Sequence, residues 1–323
     1  MLQIIKSAFL VMLLVCNTGL SAEPARHQEF PTYFAHVNGI SVAYQDFGAE
    51  DAPVVLLVMG LGGQLIHWND RFVQQLVAAG YRVIRYDNRD VGLSEKFLDY
   101  PTPGMLTFVR FKLGMGLGAP YHLDDMAADG VALLDHLHIS KAHVAGLSMG
   151  GMIAQIMAAS YPQRISSLAS IMSSSGAAHL PAGTFKVENR DRADLSREEI
   201  IQQSITAAKA IYAKDSGLSD EQWYAFSARG YDRSHYDDGF SRQYWAILDS
   251  GDRVELLKTI RQPTVVIHGK IDPLLPFEHG QHTASLVENS SLVAIEDMGH
   301  FIGVEHNSRI IQAILDNIQR ANR

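Results

Sequence analysis

Positions 54–59 hold six successive apolar residues. A short run without a polar break predicts a strand buried on both faces. Short segments at 81–86, 142–145, 165–172, 264–268 and 291–295 predict further strands. Between them lie stretches with helical spacing of apolar positions. Residues 71–79 predict a helix stopped by Gly80, and 123–137 a second. Residues 149–160 predict a third that ends before Pro162. Residues 277–286 and 308–319 add two more. Two strands upstream, 34–37 and 40–46, flank Asn38-Gly39, the strongest two-residue hairpin signal. Strand–helix alternation of this kind predicts an α/β fold: a mostly parallel sheet of the eight-stranded type with helices on both faces.

The alternation breaks between residues 173 and 252. That stretch predicts several helices and no buried strand, which suits a helical cap over the carboxyl edge of the sheet, where open α/β sheets bind ligands. The expected organisation is a leader at 1–22, a core in two parts at 23–172 and 253–323, and an inserted cap at 173–252. Residues 96–120, rich in glycine and apolar side chains, suggest a second covering loop. In the leader, Lys6 precedes an apolar run from residue 8 to 15, and Ser21-Ala22 ends it. This is the pattern of a cleaved secretory signal peptide, and the run is too short to span a membrane. A secreted or periplasmic protein starting at Glu23, without a stable membrane anchor, is expected.

Composition narrows the function. The chain has 323 residues, 27 Lys and Arg against 35 Asp and Glu, and a net charge of −8. This balance argues against nucleic acid as a partner, since duplex binding needs clustered cations. The single cysteine, Cys16, lies in the leader. The processed chain therefore has no disulfide and no thiol chemistry. The 14 histidines include His279 and His282, three apart, and His136 and His138, two apart. Neither pair has the companions of a zinc site, so surface or capping roles are expected and no metal.

The most specific chemical signal is Gly146-Leu147-Ser148-Met149-Gly150, followed by Gly151, between a predicted strand and a predicted helix. A sharp strand-to-helix turn lifts a serine hydroxyl to the top of the sheet, and the flanking glycines leave room for it. The bland alternative is a glycine-rich turn with Ser148 as a helix N-cap. A serine needs a base, and the base needs an orienting acid. In this architecture both follow on loops after later strands, acid first. Asp272 follows the 264–268 strand and His300 the 291–295 strand. Asp297 and Asp252 are weaker candidates for the acid; His268 and His306 are weaker for the base. The Met149 backbone N–H faces a developing oxyanion. A second donor is expected from the loop after residue 59, Gly60-Leu61-Gly62-Gly63-Gln64, with the Leu61 N–H as candidate.

These residues resemble the α/β-hydrolase superfamily over nearly all of the chain after the leader. Asp87-Asn88-Arg89-Asp90-Val91-Gly92-Leu93-Ser94 resembles its D-x-R-G-x-G-x-S stretch, with Asp90 where glycine is usual. That stretch is structural in the family. Met59-Gly60 replaces the frequent His-Gly, and the resulting Met-Gly-Leu-Gly is similar to the aclacinomycin methylesterase branch. The resemblance implies a carboxylic-ester hydrolase that needs no cofactor and acts on a small-molecule ester. An aminopeptidase for small N-terminal residues, a lactonase or a perhydrolase would use the same machinery. A non-catalytic binding protein would keep only the fold.

One composition feature bears on the substrate. Eight aromatic residues fall between Trp223 and Trp245, among them Tyr224, Phe226, Tyr231, Tyr236, Phe240 and Tyr244. They are expected to pack the cap and, in part, to line a site for an apolar substrate. Trp223, Trp245 and, beside the glycine loop, Trp68 are the candidates.

Overall fold

The structure is a computed structural model that describes residues 30–323, apart from 103–106, 108, 111–112, 114, 117 and 186–194. The leader and part of the 96–120 excursion lie outside the described residues.

Eight strands form one sheet. They are β1 (Tyr33–Val37), β2 (Ile40–Phe47), β3 (Val54–Val58), β4 (Arg82–Tyr86), β5 (Ala142–Leu147), β6 (Ile165–Ile171), β7 (Thr264–Gly269) and β8 (Ser290–Ile295), in the spatial order β1-β2-β4-β3-β5-β6-β7-β8. From β4 to β8 every pairing is parallel; β1–β2 and β2–β4 are antiparallel. The β1–β2 hairpin turns through Asn38 and Gly39, both at positive φ (49° and 79°). That is the conformation a two-residue turn of this hand requires.

Helices α1 (Asp70–Ala78), α2 (Leu123–His136), α3 (Met149–Ser160), α8 (Glu278–Leu286) and α9 (Asn307–Ala321) alternate with the strands. All five β3 residues are buried, and they alternate between two cores. Val55 and Leu57 pack with Phe72 and Leu76 of α1 and Ile310 and Ile314 of α9. Val54, Leu56 and Val58 pack with Leu133 of α2 and Ile153 and Met157 of α3. Each such side chain removed from water contributes about 1.5–3 kcal/mol, which explains the unbroken apolar run.

Between β6 and β7 the chain forms α4 (Arg197–Tyr212), α5 (Asp220–Arg233) and α6 (Asp237–Asp249), then the short α7 (Val254–Leu257). Helices α4 and α5 start at Ser196 and Ser219, whose hydroxyls accept from the third backbone N–H of each helix. Helix α7 was not expected. It is one turn long, too short to show periodicity. Strand β5 runs two residues past the expected end, because Gly146 and Leu147 continue the ladder to Ser170 and Ile171 of β6.

Candidate active site

Strand β5 ends at Leu147 and α3 begins at Met149, which leaves one residue to turn the chain. Ser148 does so at φ 56° and ψ −119°, a conformation side chains rarely adopt. Strain of this kind is held only where the surroundings over-determine it. Here the Ser148 N–H donates to Ile171 O (2.9 Å), and Ser148 O accepts from the Ser173 hydroxyl (2.8 Å). The glycines are steric necessities. A Cβ on Gly146 would lie 2.1 Å from Gly150 O, and one on Gly150 would lie 2.2 Å from Val58 O. The start of α3 therefore presses directly on the end of β3, from which the 60–64 loop departs. Ser148 makes no side-chain cap, contrary to the bland alternative.

Its hydroxyl instead lies 2.9 Å from His300 Nε2, and His300 Nδ1 lies 2.6 Å from Asp272 Oδ2. All three residues are buried. The other Asp272 oxygen accepts from the Leu274 and Leu275 N–H groups (2.9 and 2.8 Å), which fixes the carboxylate plane. Burial raises the Asp272 pKa, but the His300 and His268 rings outweigh it and hold the carboxyl well below the usual carboxylate range. His268 bonds locally, with Nε2 2.8 Å from Leu275 O and 3.5 Å from Asp272. The competing residues are occupied elsewhere. Asp297 pairs with Lys214 (2.5 Å) and His306 (3.3 Å), and Asp252 accepts from Val254 N (3.0 Å).

In the 60–64 loop, Gly63 N–H donates to Gly60 O (3.1 Å), closing a turn with Leu61 and Gly62 at its centre. Gly62 sits at φ 67°. The Leu61 and Met149 backbone N–H groups have no hydrogen-bond acceptor among the described residues. Met149 N–H is the first donor of α3, one of the helix N–H groups without an intrahelical partner. The arrangement is a hydrogen-bonded chain from Ser148 through His300 to Asp272.

A family model described as the alpha/beta hydrolase fold matches residues 53–307. The chain belongs to the α/β-hydrolase family. Rhodomycin D methylesterase of Streptomyces peucetius is 25% identical over 294 residues, covering 84% of this chain and 92% of that protein. The 3-oxoadipate enol-lactonase 2 of Acinetobacter baylyi is 27% identical over 288 residues, covering 88% and 95%. A meta-cleavage product hydrolase from Pseudomonas fluorescens shares the fold, with TM-score 0.70 at 20% identity over 90% of this chain and 98% of that one.

In this α/β-hydrolase the 87–94 stretch braces the glycine loop. Asp87 accepts from Leu65 N (2.6 Å) and Leu93 N (2.8 Å), and Asn88 donates to Met59 O (2.8 Å). The inserted helices join the site at points that no local pattern announced. The His300 N–H donates to Ile211 O at the end of α4 (2.8 Å). Gly299 permits this, because a Cβ there would meet the same oxygen at 2.4 Å. Gln243 of α6 accepts from Gly62 N (2.8 Å). The three tryptophans are all buried. Trp68 packs on Phe72 with ring centroids 5.2 Å apart. Trp223 meets Phe301, the neighbour of His300, at 5.7 Å, and the two help line a pocket of about 20 Å³. Trp245 Nε1 and the Tyr244 hydroxyl have no hydrogen-bond partner among the described residues. His279 corrects an expectation: it is buried, with Nδ1 2.7 Å from the Ser174 hydroxyl and Nε2 2.9 Å from Pro181 O. His282 likewise lies 2.8 Å from the Ser175 hydroxyl.

Proposed function

We propose that this α/β-hydrolase cleaves carboxylic esters of apolar, small-molecule substrates through an acyl-enzyme on Ser148. The observation that carries the reading is the continuous relay from Ser148 through His300 to a buried, ionised Asp272. His300 Nε2 takes the hydroxyl proton as Ser148 Oγ attacks the ester carbonyl carbon. The carbonyl π electrons move to the oxygen, which the Leu61 and Met149 N–H groups stabilise as an oxyanion. The tetrahedral intermediate collapses, the ester C–O bond breaks, and the imidazolium gives its proton to the departing alkoxide. Water then adds to the acyl-enzyme, with His300 again as base, and the acid leaves with Ser148 restored. Asp272 holds the imidazole in the required tautomer and steadies the imidazolium. No step calls for a metal or cofactor.

The methylesterase relative supports an ester substrate, and the enol-lactonase relative extends the same chemistry to a cyclic ester. The contact of Trp223 with Phe301, the neighbour of His300, supports an apolar wall for the substrate, and Trp245 and Trp68, each with an unpartnered Nε1, are the further candidates for it. The leader at 1–22 supports export, with cleavage before Glu23.

The test is kcat/KM for nitrophenyl esters of increasing acyl length, beside a lactone and an aminoacyl amide. Each methylene moved from water to an apolar wall contributes about 0.8 kcal/mol, or about fourfold in kcat/KM. The reading predicts rising values until the pocket fills, a flatter series for Trp245→Ala, and little amide cleavage. A flat wild-type series, or preference for the amide, contradicts it.

A further inference from the structure

Three glycines in five residues leave the 60–64 loop with many accessible backbone states. A donor serves an oxyanion only when it is held in place before the charge develops. Something must therefore restrain this loop, and its restraints come from far along the chain. Gln64 Nε2 donates to Gly230 O (2.6 Å) and Ser234 O (2.8 Å) at the end of α5. Gln243 Oε1, on α6, accepts from Gly62 N (2.8 Å). The Gln243 side chain is fully buried, and its Nε2 donates to Arg89 O (2.7 Å). That second bond decides which end of the amide faces Gly62: only the carbonyl end can accept from an N–H while the amino end donates to Arg89. The next residue back, Arg242, anchors the same helix turn on Asp90 through bonds of 2.8 and 3.0 Å. Gly62 is the second central residue of the turn that has Leu61 as the first. Fixing its N–H fixes the peptide plane that follows Leu61.

We infer that Gln243 is a positioning residue for the oxyanion hole, its amide locking the 60–64 turn so that the Leu61 N–H stays aimed at the reacting carbonyl. This rests on the serine-hydrolase reading above. It also gives the inserted helices a part in the chemistry: α6 holds the oxyanion loop as α4 holds the His300 loop.

The experiment replaces Gln243 with Met, which is close in shape and makes neither hydrogen bond, and with Glu, which keeps an acceptor for Gly62. Kinetics with a nitrophenyl ester are combined with the inhibition constant of a trifluoromethyl ketone, which forms a tetrahedral oxyanion on the serine. Losing an oxyanion donor outright lowers kcat about 100- to 1,000-fold, so loosening one should lower it about 10- to 100-fold. The expected result for Gln243→Met is that fall in kcat with KM within about threefold, and a ketone inhibition constant that rises in the same proportion as kcat/KM falls. Gln243→Glu should recover part of both. A merely structural role would lower thermal stability without this parallel. If Gln243→Met does not fold, Gln243→Asn, one methylene too short to hold both partners, carries the same comparison. Wild-type kcat in a folded variant overturns the inference, as does a kcat loss that leaves ketone affinity unchanged. Full turnover by Ser148→Ala would instead defeat the serine-hydrolase reading itself, whatever the Gln243 variants do.

Discussion

Asp90 stands where the resembling family usually has glycine, and the structure gives that departure a measurable consequence. The residue sits at φ 69°, left-handed backbone that disfavours a side chain by about 1–2 kcal/mol. Its carboxylate compensates with a bidentate pair to Arg242, both side chains being at most 1% exposed, and with bonds from the Tyr121 hydroxyl (2.8 Å) and Phe97 N (2.9 Å). Asp90→Gly relieves the backbone strain but takes the carboxylate from the buried Arg242 charge, which keeps only the Tyr100 carbonyl and Tyr236 hydroxyl as acceptors, at a cost of about 3–5 kcal/mol. It also strips the acceptor from two further donors. The net expectation is a loss of about 3 kcal/mol. For a chain of this size that corresponds to a fall in Tm of about 4–5 °C. Removing both charges is milder than removing one, so Asp90→Gly/Arg242→Met should recover at least half of the loss. The assay is urea and thermal unfolding of the two single variants and the double. An Asp90→Gly protein as stable as wild type, or a coupling below about 0.5 kcal/mol across the cycle, would refute the reasoning.

Two further outcomes follow from buried groups. Burial, together with Arg233, Arg229 and Arg85, lowers the His67 pKa from 6.5 to about 3. Between those values the unfolded chain binds a proton that the folded chain does not. His67 therefore contributes full stability above pH 6.5 and loses it as pH falls toward 3, at about 1.4 kcal/mol per pH unit. His67→Asn keeps an acceptor for Gln64 N and should flatten that part of the stability–pH curve by this slope; equal slopes in urea unfolding at pH 4–6.5 would contradict it. Asp272→Asn should fold, yet lose about four orders of magnitude in kcat through the wrong imidazole tautomer; near-normal turnover would move the acid elsewhere.

Much of the fold was legible because strands buried on both faces are rich in apolar positions, Val54–Val58 most of all. The unbroken run at 54–59 reads as a buried strand, the stretch at 165–172 does so despite three serines, and the glycines around Ser148 mark a turn that tolerates no Cβ. Chain order then pointed to Asp272 and His300, because each follows a strand of the same sheet. Local pattern carries no trace of contacts between distant segments. Gln243 reaches Gly62 across 181 residues, and Arg242 reaches Asp90 across 152. Each looks like an ordinary polar position on an amphipathic helix. The aromatic richness of 223–245 was equally plain, but composition cannot say which ring faces outward. The structure buries all three tryptophans, and Nε1 of both Trp68 and Trp245 has no hydrogen-bond partner among the described residues, so neither exposure nor hydrogen bonding separates those two.

Activation of Ser148 as a nucleophile by His300 underlies the proposed chemistry. Its most direct measurement is labelling of the whole chain with a fluorophosphonate, read by peptide mass spectrometry. One phosphonyl adduct is expected, on Ser148, with labelling slowed by several orders of magnitude in His300→Ala and absent in Ser148→Ala. An unlabelled wild-type protein that still hydrolyses esters, or an adduct on another residue with Ser148 bare, would contradict it.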